Sequence, residues 1–281
     1  MSRPEHISPP ELFYDEKEAA KYNSSSRIIK VQEELSQRAI ELLNLPADKE
    51  CFILDVGCGS GLSGQALQEA GHAWVGLDVS KSMLDIASER DSSGDVFLLD
   101  MGCGLPFRPG IFDGCISISA VQWLCYSDKK EHTARRRLMR FFSSLYMCLK
   151  RGSRAVLQLY PETPEQMEEI SSCAMRCGFS GGLVIDYPNS AKAKKFYLCL
   201  FAGYDGSQEI PKALGTGEGA SEVAVQGRQK TLKARVQRKG KGREPVKAKD
   251  WVLAKKERYR KQGKTVKNDS KFTARRRPAA F

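Results

Sequence analysis

The chain has few residues of the kinds that build metal centres and membrane spans. Its 281 residues include only three histidines, and none of its nine cysteines forms a C-x-x-C pair. A metal site is therefore not expected, and the cysteines are interpreted as reduced, buried thiols of an intracellular protein. No run of about eighteen apolar residues and no apolar signal segment occurs, which predicts a protein that is neither secreted nor inserted in a membrane.

Acidic residues are scarce at the C-terminal end. From Arg228 to Phe281 there are 21 Lys and Arg residues but only four acidic ones, a net charge of +17. Since the whole chain carries +11, residues 1–227 carry −6. A mildly acidic folded region with a strongly basic tail favours binding to nucleic acid, whose phosphates attract such a tail. Several of its basic clusters are also compatible with a nuclear import signal.

The hydrophobic pattern divides the chain into four parts. Residues 1–26 carry aromatic side chains ahead of the first core element, which predicts a lid over a site, with simple N-terminal packing as the alternative. Residues 27–203 begin with an amphipathic helix and then alternate between apolar strands and helices. Residues 204–227, rich in Gly, Ser, Ala and Glu, indicate a flexible linker, and residues 228–281 form the basic tail.

Seven strands are predicted between residues 51 and 201. Helices separate most of the first six strands, and the last two are adjacent, so they form a closing hairpin. This order is typical of a seven-stranded, doubly wound, Rossmann-like α/β sheet. The predicted strands are 51–56, 73–78, 95–100, 112–118, 153–160, 183–187 and 195–201.

One strand and the turn after it indicate a cofactor site. The strand ends on Asp55 and leads into a turn with Gly57, Gly59 and Gly61, whose backbone can approach a ligand closely because glycine has no side chain. Asp78 and Asp100 follow where the next two strands should end. Ligands of such sheets bind at the carboxyl ends of the strands, so these acids are expected to meet there.

The glycines alone fit two cofactors. Residues 59–64 also match the G-x-G-x-x-G pattern of NAD enzymes, with Asp78 near the spacing of a ribose-binding acid. Two acids favour S-adenosylmethionine instead, because Asp55 would meet its ammonium but repel a pyrophosphate, and Asp100 can accept from the adenine amino group. Residues 112–120 further resemble the fourth strand of class I methyltransferases.

Longer segments resemble a single family. Residues 114–124, 152–161 and 186–198, the opening segment 10–16 and the Trp-Val-Leu at 251–253 resemble the eukaryotic enzymes that form N7-methylguanosine in 18S ribosomal RNA. The resemblance implies a class I methyltransferase domain over residues 27–203. It also implies a nuclear role, nucleolar and nucleoplasmic, in assembly of the pre-40S particle. A small zinc-binding activator subunit is implied as the partner in a heterodimer.

The chemistry of that reaction fits the segment after the fourth strand. Guanine N7 carries an exposed lone pair, so no base has to remove a proton. Correspondingly, Ser119-Ala120-Val121-Gln122 stands where enzymes that methylate exocyclic amines carry Asn/Asp-Pro-Pro-Tyr. Cys58 lies inside the glycine turn, but nothing nearby would lower its pKa, so a structural role is preferred to a nucleophilic one.

The candidate residues fall into four groups. Around the methionine portion of the cofactor we expect Asp55, Gly57, Cys58, Gly59 and Gly61, with Asp78 on the ribose and Asp100 and Met101 on the adenine. Around the guanine we expect Ser119, Gln122 and Trp123, whose indole could stack on a flipped base or belong to the core. Tyr14, Tyr22 and Arg27 could close the site from the N-terminal side. Lys192, Lys194 and Lys195 would meet RNA phosphates or lie in a solvated loop.

Two further expectations stay open at this stage. Residues 96–99, on a strand near the sheet edge, are predicted to bind the activator by strand addition, with ordinary core packing as the alternative. The competing functions are an activator-dependent methyltransferase that acts on tRNA or on a protein glutamine, and an assembly factor whose binding matters more than its catalysis.

Overall fold

The computed structural model describes most of the region before residue 216 and little of the basic tail. The described residues are 3–90, 94–126, 133–190, 193–203, 210–215, 253, 256, 260 and 266–269. By the contacts between its residues, the chain divides into two compact units, Met1–Arg228 and Gln229–Phe281.

The first unit contains a seven-stranded sheet in the order β3-β2-β1-β4-β5-β7-β6. Neighbouring strands pair in parallel except β7, which is antiparallel to both β5 and β6. This confirms the predicted doubly wound sheet with a closing hairpin. The strands are β1 (Phe52–Val56), β2 (Ala73–Asp78), β3 (Asp95–Leu98), β4 (Phe112–Ile118), β5 (Leu149–Leu159), β6 (Phe179–Asp186) and β7 (Lys195–Ala202).

In the described part of the first unit, seven α-helices accompany the sheet. They are α1 (Pro10–Phe13), α2 (Glu16–Ser24), α3 (Ser26–Leu43), α4 (Leu62–Glu69), α5 (Lys81–Glu89), α6 (Ala134–Cys148) and α7 (Pro164–Arg176). Buried side chains of α3, α4 and α5 pack in one apolar cluster, and those of α6 and α7 pack in another. Helices therefore cover both faces of the sheet, as burial of parallel strands requires.

Two strands begin earlier than the sequence predicted. β6 starts at Phe179 rather than at residue 183, although Gly181 and Gly182 are typical of a turn. A Cβ on Gly181 would lie 2.0 Å from the carbonyl oxygen of Cys199, so this glycine lets β6 approach β7 closely. β5 starts at Leu149 rather than at residue 153, because the strand continues through Gly152 at φ +83°.

The N-terminal segment is more regular than a simple lid. α1 and α2 both lie within residues 1–26, where no helix was predicted. Asp15 caps α2 by accepting hydrogen bonds from the backbone N–H groups of Lys17 (3.0 Å) and Glu18 (2.9 Å).

Part of the predicted linker is attached to the first unit. Leu214 donates its backbone N–H to Asp186 Oδ1 at 2.8 Å, and Arg38 donates to the carbonyl oxygen of Lys212 at 3.0 Å. Ile210 also packs against the apolar cluster that contains α3. These contacts hold residues 210–215 on the domain.

Little of the second unit is described. Leu253, Lys256 and Arg260 are helical, while Trp251 and Val252 of the Trp-Val-Leu segment lie outside the described residues. Lys256 and Arg260 both form ion pairs with Asp269, at 2.8 and 2.7 Å.

The cysteines are free, and six of the nine are buried. Cys103 is exposed, which corrects the expectation of uniformly buried thiols; it lies in a short 3-10 turn after β3 rather than in a core element. Within the described residues, no helix is long and apolar enough to cross a membrane, and no three His, Cys, Asp or Glu side chains cluster as metal ligands.

Candidate active site

A cavity of about 450 Å³ opens at the carboxyl ends of the parallel strands. Its walls come mainly from the segments after five strands, β1 to β5, and from the N-terminal segment. Among the sequence-predicted residues, the lining contains Gly57, Gly59, Asp78, Asp100, Met101, Ser119, Gln122, Trp123, Tyr14 and Tyr22. The cavity has the size of a small-molecule site and lies where ligands of open α/β sheets bind.

The glycine turn after β1 is shaped by its backbone. Gly57 has φ +74°, and a Cβ there would lie 2.2 Å from Cβ of Ala120. Its N–H donates to the carbonyl oxygen of Leu77 at 2.7 Å, which fixes the turn against the end of β2. A side chain at this position is excluded both by conformation and by space, so the floor of the cavity is bare backbone.

Asp78 presents a carboxylate with spare acceptor capacity. Its Oδ2 accepts from the Gly59 N–H at 3.0 Å and its Oδ1 from the Ser80 N–H at 2.8 Å. Burial raises the pKa of Asp78, against the lowering effect of these backbone donors. No ion pair to Asp78 occurs within the described residues. Each oxygen keeps a lone pair, which fits the two hydroxyls of a ribose diol.

Asp100 is oriented by an arginine that the sequence analysis missed. Arg137 on α6 donates to Asp100 Oδ1 at 2.6 Å, and the N–H of Gly102 donates to the same oxygen at 2.8 Å. The strand itself stops at Leu98, so Asp100 caps the following 3-10 turn rather than ending β3. Oδ2 remains available, apart from a 3.7 Å contact with Cys103 Sγ, to accept from an amino group in the cavity.

Asp55 does not reach the cavity. Its side chain is fully buried, its Oδ2 accepts from Ser63 Oγ at 2.5 Å, and its Oδ1 finds no partner among the described residues. Burial raises its pKa to about 7, with the Ser63 hydrogen bond acting the other way. The side chain thus points towards α4 and lies outside the lining, and its contact with the cofactor ammonium stays a prediction.

Three other predicted residues also lie outside the lining. Cys58 is buried, its pKa is raised by that burial, and a Cβ on Gly76 would lie 2.7 Å from its sulfur, so it packs on β2. Gly61 caps α4 at φ +82°. Arg27 is exposed on α3 and does not close the cavity. These positions shape the turn or face solvent.

The wall after β4 carries the predicted substrate residues. Ser119 has φ +58°, a left-handed conformation that is rare for a non-glycine residue and often marks functional sites. Its hydroxyl donates to Gln158 Oε1 at 2.5 Å, and its carbonyl accepts from Gln122 Nε2 at 2.8 Å. Trp123 follows in a 3-10 turn and is only 6% exposed, so it is both packed and part of the lining.

The N-terminal segment forms the opposite wall. The rings of Tyr14 and Trp123 lie 6.0 Å apart between centroids, and Tyr14 and Tyr22 are also 6.0 Å apart in an edge-to-face arrangement. Ser80 Oγ donates to the carbonyl oxygen of Tyr14 at 2.8 Å. Burial raises the pKa of both tyrosines well above their usual value, so the phenols are neutral at physiological pH.

Comparison with proteins of known function places the chain in a family. It is 55% identical to the mouse 18S rRNA (guanine-N(7))-methyltransferase over 99% of this chain and 98% of that protein. It is 46% identical to the 18S rRNA (guanine(1575)-N(7))-methyltransferase of Saccharomyces cerevisiae over the full length of both. The chain belongs to the 18S rRNA (guanine-N7)-methyltransferase family. The resemblance predicted from residues 114–124 and the other segments is confirmed.

Two family models divide this methyltransferase chain between them. The model described as a methyltransferase domain matches residues 54–157, and the one described as a methyltransferase involved in Williams-Beuren syndrome matches residues 200–279. Among solved structures, the TehB-like SAM-dependent methyltransferase from Corynebacterium glutamicum is 16% identical with a TM-score of 0.50. It aligns over 68% of this chain and 100% of that one. This likeness supports the fold.

Of the three predicted RNA-binding lysines of the methyltransferase, the two that the structure describes do not line the cavity. Lys195 Nζ donates to the Tyr160 hydroxyl at 3.2 Å and lies 5.3 Å from the centre of that ring, while Tyr160 itself lines the cavity. Lys194 is half-buried and does not line it, and Lys192 lies outside the described residues.

Among the lining residues that were not predicted from the sequence, five have polar side chains. They are Arg3, Glu5, Gln32, Arg137 and Tyr160. Tyr160 lies in segment 152–161, directly after β5, whereas the other four belong to none of the quoted segments and reach the cavity from elements distant in sequence. Of the five, Arg137 had the clearest signal in the sequence. It lies near the start of a helix that carries three consecutive arginines, and the carboxylate of Asp100 requires a positively charged partner.

Proposed function

We propose that this chain transfers a methyl group from S-adenosylmethionine to N7 of a guanine in 18S ribosomal RNA, during assembly of the small subunit. The observation that supports this most strongly is one cavity. It combines a bare glycine turn and free carboxylate acceptors on one wall with aromatic side chains on the other. The relatives that share the whole chain carry the corresponding activity in their names.

The strand-end wall suits the proposed cofactor. S-adenosylmethionine supplies an activated methyl group on a sulfonium centre. Asp78 holds the ribose hydroxyls through the lone pairs that its backbone donors leave free. Asp100 Oδ2 accepts from the adenine amino group while Arg137 fixes the carboxylate. Gly57 allows the ligand to lie directly on the backbone.

The residues around the guanine have a positioning task. Because N7 offers its lone pair without losing a proton, catalysis requires alignment of nucleophile and methyl group rather than a general base. Alignment of this kind lowers a barrier by up to about 7–11 kcal/mol. Trp123 and Tyr14 provide flat apolar faces for the base, and the strained Ser119 places Gln122 at the cavity. No Asn-Pro-Pro-Tyr segment is present, which disfavours methylation of a protein glutamine.

The proposed partner is a small zinc-binding activator that adds a strand to β3. This strand is at the sheet edge and pairs with β2 alone among the described strands. Phe97 is 49% exposed and Leu98 61% exposed, which is unusual for apolar side chains on a strand. An open edge with exposed apolar residues is a common site for strand addition.

Charged substitutions on β3 test this partner. Phe97→Asp and Leu98→Asp should abolish co-purification with a co-expressed activator, whereas Met147→Asp, at a residue 59% exposed on α6, should not. Retention of the activator by both β3 variants would remove the proposed edge.

The basic tail is proposed to bind RNA phosphates and to direct the enzyme to the nucleus and nucleolus. Residues 228–281 carry a net charge of +17, and Lys192, Lys194 and Lys195 would add contacts near the cavity. Binding that neutralises many phosphates weakens steeply with salt. Truncation after residue 227 should therefore flatten the salt dependence of RNA binding while leaving cofactor affinity unchanged.

The proposed activity is tested by methyl transfer from labelled cofactor to small-subunit RNA precursors, with and without the co-expressed activator. Borohydride and aniline treatment, which cleaves at N7-methylguanosine, follows. A single cleavage site is expected. Label without cleavage would contradict N7, and absence of label on ribosomal RNA would direct attention to tRNA or to an assembly role without catalysis.

A further inference from the structure

We propose that the carboxylate of Glu5 recognises the Watson–Crick edge of the target guanine, accepting hydrogen bonds from its N1–H and N2 amino groups. The N-terminal segment would then select the base as well as cover the cavity. This inference rests on the proposed function, since it names the residue that distinguishes guanine from other bases at the same site.

Glu5 is an unusual residue for its position. It lies in a 3-10 turn, Pro4–His6, its side chain lines the cavity, and it is only 7% exposed. In the described parts of the chain it forms no ion pair and accepts one side-chain hydrogen bond, from Gln122 Nε2 at 3.3 Å. A buried carboxylate with so few partners is costly unless further donors reach it, and a ligand can supply them.

Gln122 fixes the direction of this carboxylate. The amide nitrogen of Gln122 donates both to Glu5 Oε1 and to the carbonyl oxygen of Ser119, at 3.3 and 2.8 Å. The opposite amide orientation would place an oxygen against two acceptors, so the arrangement is unambiguous. Gln122 Oε1 is left buried without a partner in the described region. The pair thus offers acceptors only, and it requires a ligand that donates.

The residues on either side hold Glu5 in place. Arg3 donates to the carbonyl oxygens of Tyr160 and Pro161 at 2.7 and 3.1 Å. His6 Nε2 lies 3.0 Å from Glu162 Oε2. Both anchors attach to the segment that follows β5, so the turn between them is tied at each end. A carboxylate that distinguishes one base from another has to be held in place in this way, because a mobile carboxylate would adapt to any donor.

Guanine is the base that matches an acceptor-only surface. Its N1–H and N2 amino group are adjacent donors, and a carboxylate can accept both. Adenine presents an acceptor at N1 and no amino group at C2, so it would leave Glu5 without partners and add repulsion. Sites built to bind a donor reject analogues that lack it because their own polar groups are then left unpaired. Since N7 is on the other ring of the purine, binding of this edge leaves N7 free to react.

The test compares guanosine with inosine at the nucleotide that aniline cleavage identifies. Inosine keeps N7 and N1–H but lacks the N2 amino group. For the wild-type chain, with activator, we expect kcat/KM for inosine to be lower by about tenfold, the effect of roughly 1.4 kcal/mol for a lost hydrogen bond to a charged group. In Glu5→Gln, methylation of guanosine should fall to near the inosine rate, and the two substrates should become nearly equal.

Two controls separate this role from a structural one. Glu11→Gln makes the same chemical change on an exposed residue of α1 and should keep the wild-type ratio. The dissociation constant of S-adenosylmethionine, measured by calorimetry, should be unchanged in Glu5→Gln. Glu5→Asp, which keeps the charge but withdraws it by one methylene, should retain part of the preference.

Several results would overturn the inference. Glu5→Gln could lower kcat/KM for both substrates by the same factor or leave both values unchanged. It could also weaken cofactor binding by the same factor as it lowers the rate of methyl transfer. Any of these would show that Glu5 does not read the N2 amino group. If the wild-type chain gave no cleavage on guanosine RNA, the proposed function itself would fail, and this result is distinct from an unchanged ratio.

Discussion

The two walls of the cavity are built in different ways. The strand-end wall consists of a glycine turn and of carboxylates that backbone N–H groups and Arg137 fix, all following parallel strands of the sheet. The N-terminal wall consists of side chains from residues 3–24, held by a few long-range hydrogen bonds such as Ser80 to the Tyr14 carbonyl. The difference suggests a division of work, with a rigid surface for the cofactor and a separately attached one for the substrate.

The largest effect is expected from a substitution in the glycine turn of the strand-end wall. Gly57→Ala forces a side chain into φ +74° and within 2.2 Å of Ala120, which should cost about 3–5 kcal/mol of unfolding free energy and abolish cofactor binding. Gly71→Ala is the matched control, because Gly71 has φ +80° but no atom within 4 Å of the new Cβ. It should lose only about 1–2 kcal/mol and bind cofactor normally. Chemical denaturation and calorimetry on both variants measure this, and equal losses would contradict the account.

The second prediction concerns the pH dependence of stability that the buried Asp55, behind the strand-end wall, should cause. The folded-state pKa of Asp55 is raised to about 7 by burial, whereas an unfolded aspartate titrates near 3.9. The folded state therefore binds the extra proton between about pH 4 and 7, and the free energy of unfolding should fall as pH rises through that window.

Asp55→Asn removes this titration. From pH 4.5 to 7.5, the free energy of unfolding of the wild type should fall relative to that of the variant by on the order of a few kcal/mol. Urea denaturation at several pH values measures it, with Asp85→Asn, at an exposed residue of α5, as control. A difference that does not change with pH would show that Asp55 is ionised throughout.

On the wall after β4, against Tyr14 of the N-terminal wall, Trp123→Phe should act on the substrate. Stacking of a base on an aromatic side chain contributes about 1–3 kcal/mol, and phenylalanine keeps only part of that surface. The rate of methyl transfer should fall about tenfold with cofactor affinity unchanged. Calorimetry measures the cofactor affinity of this variant and single-turnover assays measure its rate of methyl transfer. A loss of cofactor affinity instead of rate would place the indole against the cofactor.

The smallest expected effect loosens the attachment of the N-terminal wall. Asn23 Oδ1 accepts from Arg90, which also donates to the Ser60 carbonyl. Asn23→Ala should lower the local stability of α2 by about 1.5 kcal/mol and speed hydrogen exchange of residues 16–24 roughly tenfold. Ser24→Ala, which removes only a bond within the helix, should not. A large loss of cofactor affinity in Asn23→Ala would mean that the two walls are not separate.

The same contrast explains what the sequence could predict. The turn after β1 and the acids Asp78 and Asp100 follow from the periodicity of strands and helices, because parallel strands bring their ends together. The position of Asp55 outside the lining could not be predicted, since the direction of a side chain at a strand end depends on its packing partner, here Ser63. Glu5 could not be found, because its partner Gln122 is 117 residues away and no local pattern marks either residue.

The most direct test of the central claim is calorimetric titration of S-adenosylmethionine into the wild-type chain and Asp78→Asn, in complex with the activator. We expect binding by the wild type and an affinity lower by about 10- to 100-fold in the variant, since a charged acceptor for the ribose is lost. Equal affinities would contradict the assignment of the cofactor to the strand-end wall.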